Sequence, residues 1–163
     1  MFLDNTYFTG QLYIPNLQYR SGVGSVVQAV NEHSLDWYIA KYEVEFLIEL
    51  LGERVYVEFI NGVDSGDERW TTLRDKIYKV GDISFSPAAN YVYFKAMQDF
   101  QSQTSMNGEV RGKNSHSSIV PAYDKLVRVW NDMVKMCRDI VSWMQENGYP
   151  VCCYIETINK FGI

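Results

Sequence analysis

The longest hydrophobic pattern in the chain runs from Pro121 to Gly148 and has the period of an α-helix. Its apolar positions follow one another at steps of three and one, which places them on one helical face. They are Tyr123, Leu126, Val127, Trp130, Met133, Val134, Cys137, Ile140, Val141 and Met144. Proline suits the first turn of a helix and glycine suits its end. The pattern therefore predicts a helix of about seven turns against which the rest of the chain packs.

A second apolar line lies beside this stripe and repeats at an interval of one heptad. It consists of Val129, Met136 and Trp143. An apolar face this wide suits a helix buried on two sides within its own domain. It suits equally a helix that also meets another subunit, because interfaces concentrate Trp and Met. Val129, Met136 and Trp143 are therefore candidate subunit-contact residues.

Shorter apolar patterns predict further helices before the long one. The predicted helices are Val23–Glu32, Leu35–Leu51, Glu53–Ile60, Asp67–Tyr78 and one that begins at Ser86-Pro87. Ser34 is the predicted N-cap of the second helix and Gly52 its end. Asn61-Gly62 is predicted to end the third, and a Ser65-x-x-Glu68 capping box precedes the fourth. The last of these is apolar on nearly every side from Tyr91 to Phe100, which predicts that it is the buried centre of the fold.

Four stretches lack a helical period. Gln11–Ile14 reads as a short strand within an N-terminal arm of residues 1–22. Lys79–Phe85 suits a small hairpin around Gly81-Asp82. The polar stretch 101–119 is predicted to be a flexible loop, since a loop of this length is usually functional or disordered. The C-terminal arm, residues 149–163, is β-prone from Val151 to Ile158. It either pairs with a sheet edge, of its own subunit or a neighbour's, or is a disordered terminus.

These patterns together predict a single domain over residues 1–163 that is mainly α. We expect a compact helical bundle with a small β-hairpin and extended termini. The chain is long enough for a sizeable core, and 47% of its residues are apolar. Its twelve tyrosines suit half-buried and interface positions, because the ring is apolar and the hydroxyl polar.

The formal net charge of −5 argues against a protein that grips nucleic-acid phosphates, which requires a basic patch. The three cysteines, Cys137, Cys152 and Cys153, form no disulfide framework and indicate a reducing compartment. The first residues lack the basic and apolar regions of a signal peptide. We expect no membrane span, because no apolar run is long enough.

Candidate chemistry in the sequence is sparse. His33 and His116 each lack a second ligand at metal spacing, and Ser142 lacks the glycines of a nucleophile elbow. Glu43, Glu45 and Glu49 share one predicted helix, but no Glu-x-x-His motif accompanies them, so a solvated face is the preferred interpretation. We therefore expect no catalytic residue, no cofactor and no metal site.

Several segments, taken in order, resemble a known family. They are Phe8–Pro15, Lys41-Tyr42-Glu43 leading to Leu50-Leu51-Gly52, Arg69–Arg74, Ser86–Tyr93, and Lys125-Leu126 through Trp130-Asn131. In this order they resemble the small head–tail connector, or head-completion adaptor, proteins of tailed phages and prophages of Bacteroides-type bacteria. The resemblance extends over most of residues 8–147.

The resemblance implies a non-enzymatic virion protein made in the bacterial cytoplasm. Such a subunit docks to the portal protein, contacts tail or neck proteins, and forms a ring, by resemblance a dodecamer, that extends the DNA channel. DNA would pass without specific binding, which the negative charge suits. The loop 101–119 would reach into the channel or toward the next ring, with Asn107, Glu109, Arg111 and Lys113 as candidate contacts.

Two other classes of function remain open from the sequence. One is a non-viral helical module for protein–protein interaction. The other is a small ligand-binding domain or enzyme whose pocket leaves no visible motif. The wide apolar helix and the tyrosines suit the adaptor and the interaction module equally, so the family resemblance is what separates these two.

Overall fold

The computed structural model describes residues 1–14, 35–78, 85–105, 108–111, 122–151, 153 and 155–158. Within these ranges the chain is mainly helical, as the sequence predicts. The helices are α1 Leu35–Leu51, α2 Glu53–Ser65, α3 Glu68–Tyr78, α4 Pro87–Gln101 and α5 Ala122–Glu146, and the strands are β1 Ser102–Ser105 and β2 Gly108–Arg111. The predicted helix Val23–Glu32 lies outside the described residues.

Helix α4 is the buried centre of the bundle and packs against both α1 and α5. Its residues Ala88, Tyr91 and Val92 have no exposed surface. Ser86 starts the helix: its hydroxyl accepts from the Ala88 amide at 3.2 Å and donates to the Ile77 carbonyl at 2.9 Å. The start at Ser86-Pro87 and the central position of this helix are confirmed.

The ends of α1 and α5 also match the sequence prediction. Gly52 follows α1 with φ 80°, and Gly148 follows α5 with φ 70°. After α5 the Tyr149 amide donates to the Met144 carbonyl at 2.9 Å, which closes the last turn around the left-handed glycine. Helix α5 is therefore a rod of roughly 38 Å at the usual rise per residue. Ser34, the predicted N-cap of α1, lies outside the described residues.

Helix α2 is longer than predicted, because Asn61-Gly62 does not break it. It continues to Ser65 and ends at Gly66. Gly62 is buried, and a Cβ at this position would overlap the Trp70 indole of α3. The glycine therefore allows α3 to approach α2 closely, which a local reading of the dipeptide cannot show.

The predicted capping box before α3 is also wrong. The Ser65 hydroxyl belongs to the last turn of α2 and donates to the Gly62 carbonyl at 2.9 Å. The side chain that caps α3 is Asp67, whose Oδ1 accepts from the Arg69 amide at 2.8 Å. Because α2 runs on to Ser65, the first residue free to cap the next helix is Asp67.

The N-terminal residues form two 3₁₀ turns, Asn5–Tyr7 and Gly10–Leu12, where a strand was predicted for Gln11–Ile14. A strand needs a neighbour to pair with, and the described part of the chain offers none here. Phe8, Leu12 and Ile14 are instead buried in the main core. The N-terminal segment thus covers the bundle as an irregular strap.

Part of the polar stretch 101–119 is regular. Strands β1 and β2 pair in antiparallel register, with Ser102 opposite Arg111 and Ser105 opposite Gly108. Hydrogen bonds between the two backbones form such a hairpin without any alternation of apolar side chains, so the sequence pattern does not reveal it. It is not the hairpin that the sequence predicts around Gly81-Asp82. That prediction falls on residues 79–84, which lie outside the described ranges. That the stretch is flexible remains a prediction.

The C-terminal arm returns along α5. Tyr149 lies beside Trp143, their ring centroids 5.3 Å apart, whereas Ile158 hydrogen-bonds Asn131. The described residues after Tyr149 are in neither a helix nor a strand, and they end roughly 18 Å back along the helix axis. Glu156 and Ile158 of the arm bond to side chains of α5, and none of the arm's described residues pairs with a sheet edge.

Candidate functional site

The three candidate contact residues on α5 do not share one surface. Val129 is completely buried, and its carbonyl accepts from Asn90 Nδ2 of α4 at 3.1 Å. It therefore belongs to the subunit's own core, and the prediction of a contact role for it is corrected. Met136 and Trp143 are half-buried at the edge of the core. Residues seven positions apart on a straight helix are rotated about 20° relative to each other around the helix axis. Val129 and Trp143 are two such steps apart, so their side chains point in different directions.

Met136 and Trp143 line a groove between α3, the start of α4, and α5. The groove has a cavity volume of about 190 Å³, and its lining is Lys76, Pro87, Met136, Asp139, Ile140 and Trp143. Pro87 and Ile140 are buried, whereas Lys76 and Asp139 are exposed and of opposite charge. Ligand pockets usually measure about 300–1,000 Å³. The size and apolar lining suit an inserted side chain from another protein.

An aromatic row holds the Trp143 indole in place. Tyr149 packs against Trp143 on one side and against Trp70, at 5.9 Å between centroids, on another. Lys76 Nζ lies 5.4 Å from the Trp143 ring centroid, within the range of a cation–π contact. The groove wall is thus supported by α3 and by the residue that follows the α5 end.

Arg69 ties this row to the α5 terminus. Its Nη2 donates to the Gly148 carbonyl at 2.8 Å, and the Tyr149 hydroxyl donates to the Arg69 carbonyl at 2.6 Å. The guanidinium also stacks on the Tyr149 ring, 4.6 Å from its centroid. These contacts join the end of α5 to α3 beside the groove.

Glu43 is not on a solvated face, contrary to the sequence interpretation. It is 2% exposed, and its Oε1 accepts from the backbone amides of Phe2 at 2.8 Å and Leu3 at 3.0 Å. Burial, and then the nearby Glu43 carboxylate, raise the pKa of Tyr78 well above its ordinary value. Glu43 therefore fastens the N-terminal strap to α1.

Glu45 and Glu49 lie nearer the surface and hold α1 to α4. Tyr91 donates its hydroxyl to Glu45 at 2.6 Å and to Glu49 at 3.1 Å, and Lys95 Nζ is 2.8 Å from Glu45 Oε1. Burial alone would raise the pKa of Glu45, but the hydrogen bonds from Lys95 and Tyr91 lower it overall. The arrangement is a satisfied network that joins two helices.

This network gives an expected pH dependence. Since folding lowers the pKa of Glu45, its contribution to stability is complete above pH 4.5, the ordinary glutamate value, and is lost as pH falls through the lowered pKa. Thermal unfolding of the wild type and of Glu45→Gln should therefore differ at neutral pH and converge in acid. A difference that stays constant down the acid range would contradict the assignment.

The other candidate groups come together in no site within the described part of the chain. His33 and His116 lie outside it, as do Cys152, Asn107 and Lys113. Glu109 and Arg111 are on β2. Cys137 and Cys153 are free thiols, and burial raises the pKa of Cys137. Among the described residues, no three His, Cys, Asp or Glu side chains cluster closely enough to hold a metal ion.

Sequence reasoning found Met136 and Trp143 but missed their partners Lys76, Pro87 and Asp139. Lys76 and Pro87 belong to helices distant in sequence, so no local pattern links them to α5. Asp139 is an exposed charged residue on α5, so the apolar pattern of the helix does not include it.

The chain was compared with protein-family models, with curated proteins and with solved structures, and no match was found. None of the helices in the described ranges has the length and apolar character needed to cross a membrane.

Proposed function

We propose that this chain is a structural virion protein, a head–tail connector that docks to the portal and forms a ring extending the DNA channel. The observation that carries the proposal is the groove at Met136 and Trp143. Both residues were named as subunit contacts from sequence, and both line an apolar groove with room for a side chain. The segments that resemble connector proteins, in the same order along the chain, support the same function.

The charges at the groove suit a contact between subunits of a ring. Lys76 and Asp139 place opposite charges on its rim, so a docking segment would be oriented as well as held. Ring contacts are head-to-tail, with two different surfaces meeting at each joint. A groove on one surface and a projecting segment on the neighbour form such a pair.

The proposal extends to partners and location. The ring, a dodecamer by resemblance, would lie in the virion neck between the portal and tail proteins. DNA would pass through it without specific contacts, which the net charge of −5 suits. The subunit would perform no reaction and would act through shaped helical faces and extended segments. Glu109 and Arg111 on β2, with Asn107 and Lys113, stay candidates for contacts with the channel or the next ring.

Trp143→Glu tests the proposal. A charge in the groove should weaken assembly at least about tenfold, as expected for a tryptophan at the centre of an interface. The free subunit should lose about 2–3 kcal/mol of folding free energy, for the ring contact with Tyr149, the cation–π contact with Lys76 and the buried part of the indole. Sedimentation of the chain, alone and mixed with the portal ring encoded in the same genome, measures assembly, and chemical denaturation measures stability.

Ser142→Glu is the matched control, because it adds the same charge at the adjacent, exposed position on α5. It should assemble like the wild type. Equal assembly of the two variants would refute the contact role of the groove. Assembly that depends on Trp143 but involves no portal would favour the non-viral interaction module instead.

A further inference from the structure

The C-terminal arm is held on α5 by side chains that bond to its backbone. Trp130 Nε1 donates to the Glu156 carbonyl at 2.7 Å. Asn131 makes two bonds to Ile158: its Nδ2 donates to the carbonyl at 3.2 Å and its Oδ1 accepts from the amide at 2.9 Å. A carboxamide that pairs with both main-chain groups of one residue acts like a strand edge. We call Trp130 and Asn131 the clamp.

The described part of the arm touches the body through a few apolar side chains. Val151 and Cys153 are half-buried and Ile155 is 9% exposed, whereas Glu156 and Thr157 face solvent. Ile155 belongs to the main core, and the two exposed residues follow it directly. The arm is therefore held through bonds to its backbone and through a few apolar side chains.

The root of the arm is fixed independently of the arm itself. Tyr149 is buried, and its hydroxyl and ring are held by Arg69, Trp70 and Trp143. Pro150, the next residue, is exposed. The arm can therefore leave the clamp while Tyr149 stays in place. Segments with few buried contacts open locally at a lower cost than global unfolding.

We propose that the clamp is an intersubunit site, which binds the same arm from a second copy of this chain in the assembly and binds its own arm in the free subunit. Exchange of an identical element preserves every contact, so it costs little. A short tether gives the chain's own arm an effective concentration in the millimolar range, which favours the closed form in dilute solution. The inference rests on the proposed function, in which subunits assemble into a ring. It identifies the C-terminal arm as the segment that links them.

Photocrosslinking between isotopically distinct chains tests the exchange. A light full-length chain carries a photoreactive residue at Thr157, which lies between the two clamped residues, and a heavy chain carries none. Equal amounts are incubated at increasing concentration up to about 1 mM, the scale of the tether's effective concentration. We expect light-to-heavy crosslinks on α5 near Asn131 that increase with concentration. Light-to-light crosslinks alone, at every concentration, would overturn the proposal.

Asn131→Ala in the heavy chain should reduce the light-to-heavy crosslinks about tenfold, because two hydrogen bonds to the arm are lost. Arg128→Ala, an exposed change on the same helix, should leave them unaltered. Circular dichroism verifies that both variants fold. Unchanged crosslinking in Asn131→Ala would also overturn the clamp. Rings without mixed crosslinks refute exchange alone, whereas mixed crosslinks without ring formation or portal binding refute the proposed function alone.

Discussion

Glu43→Ala should lower the free energy of unfolding by about 1–3 kcal/mol, because it leaves the buried Leu3 amide without its acceptor, and the part-buried Phe2 amide adds less. Both amides bond to the same carboxylate oxygen in the folded chain. The N-terminal strap should detach with them, since Phe2 packs on Phe59 and Tyr78 through the same attachment. Urea denaturation measures the loss, and hydrogen exchange at the Leu3 amide locates it.

Glu49→Ala is the control for this experiment, since it makes the same change on the same helix at an exposed position. Its one bond, from the Tyr91 hydroxyl, has a second acceptor in Glu45. The loss should therefore stay below about 1 kcal/mol. If the two variants prove equally stable, Glu43 is not the attachment point of the strap.

Gly62→Ala should destabilise the fold although alanine is the better helix former. The gain in helix propensity is about 1 kcal/mol, but the added Cβ would overlap the Trp70 indole. Overpacking of this kind costs typically about 1–3 kcal/mol and sometimes more, and Trp70 is also held by Phe59 and Tyr149, which limits its movement. We expect a lower thermal midpoint with a net loss of about 1–2 kcal/mol.

The neighbouring substitution Asn61→Ala separates the two effects. Asn61 is exposed on the same helix, so alanine there should stabilise the chain slightly through propensity alone. A stabilised Gly62→Ala would mean that Trp70 moves aside without cost. If Gly62→Ala is destabilised as expected, the loss should be smaller in a chain that already carries Trp70→Leu, because the overlapping indole is absent.

Sequence patterns predicted the helices well where a long apolar period coincided with terminal signals. Helices α1, α4 and α5 have both, and their described boundaries agree with Gly52, Ser86-Pro87 and Gly148. The predictions failed where contacts distant in sequence decide the outcome. Gly62 reads locally as a helix breaker, yet the approach of Trp70 explains it.

The candidate site was predictable in part for the same reason. Met136 and Trp143 lie on one helix, and their spacing reveals them. Lys76 reaches the groove only because α3 packs beside α5, which no local pattern states. Burial likewise distinguishes Glu43 from Glu45 and Glu49, although all three occupy one short stretch of α1.

The bond from the Tyr149 hydroxyl to the Arg69 carbonyl joins positions 80 residues apart. At about 5–20 residues per second, a ribosome needs about 4–16 s to synthesise the intervening chain. On the nascent chain Trp70 is therefore synthesised several seconds before Tyr149, whose ring packs on it. Trp143 is the last of the groove residues to be synthesised. A nascent subunit that still lacks Tyr149 thus cannot present a finished contact surface, which delays association until this residue has been synthesised and has folded onto Trp70.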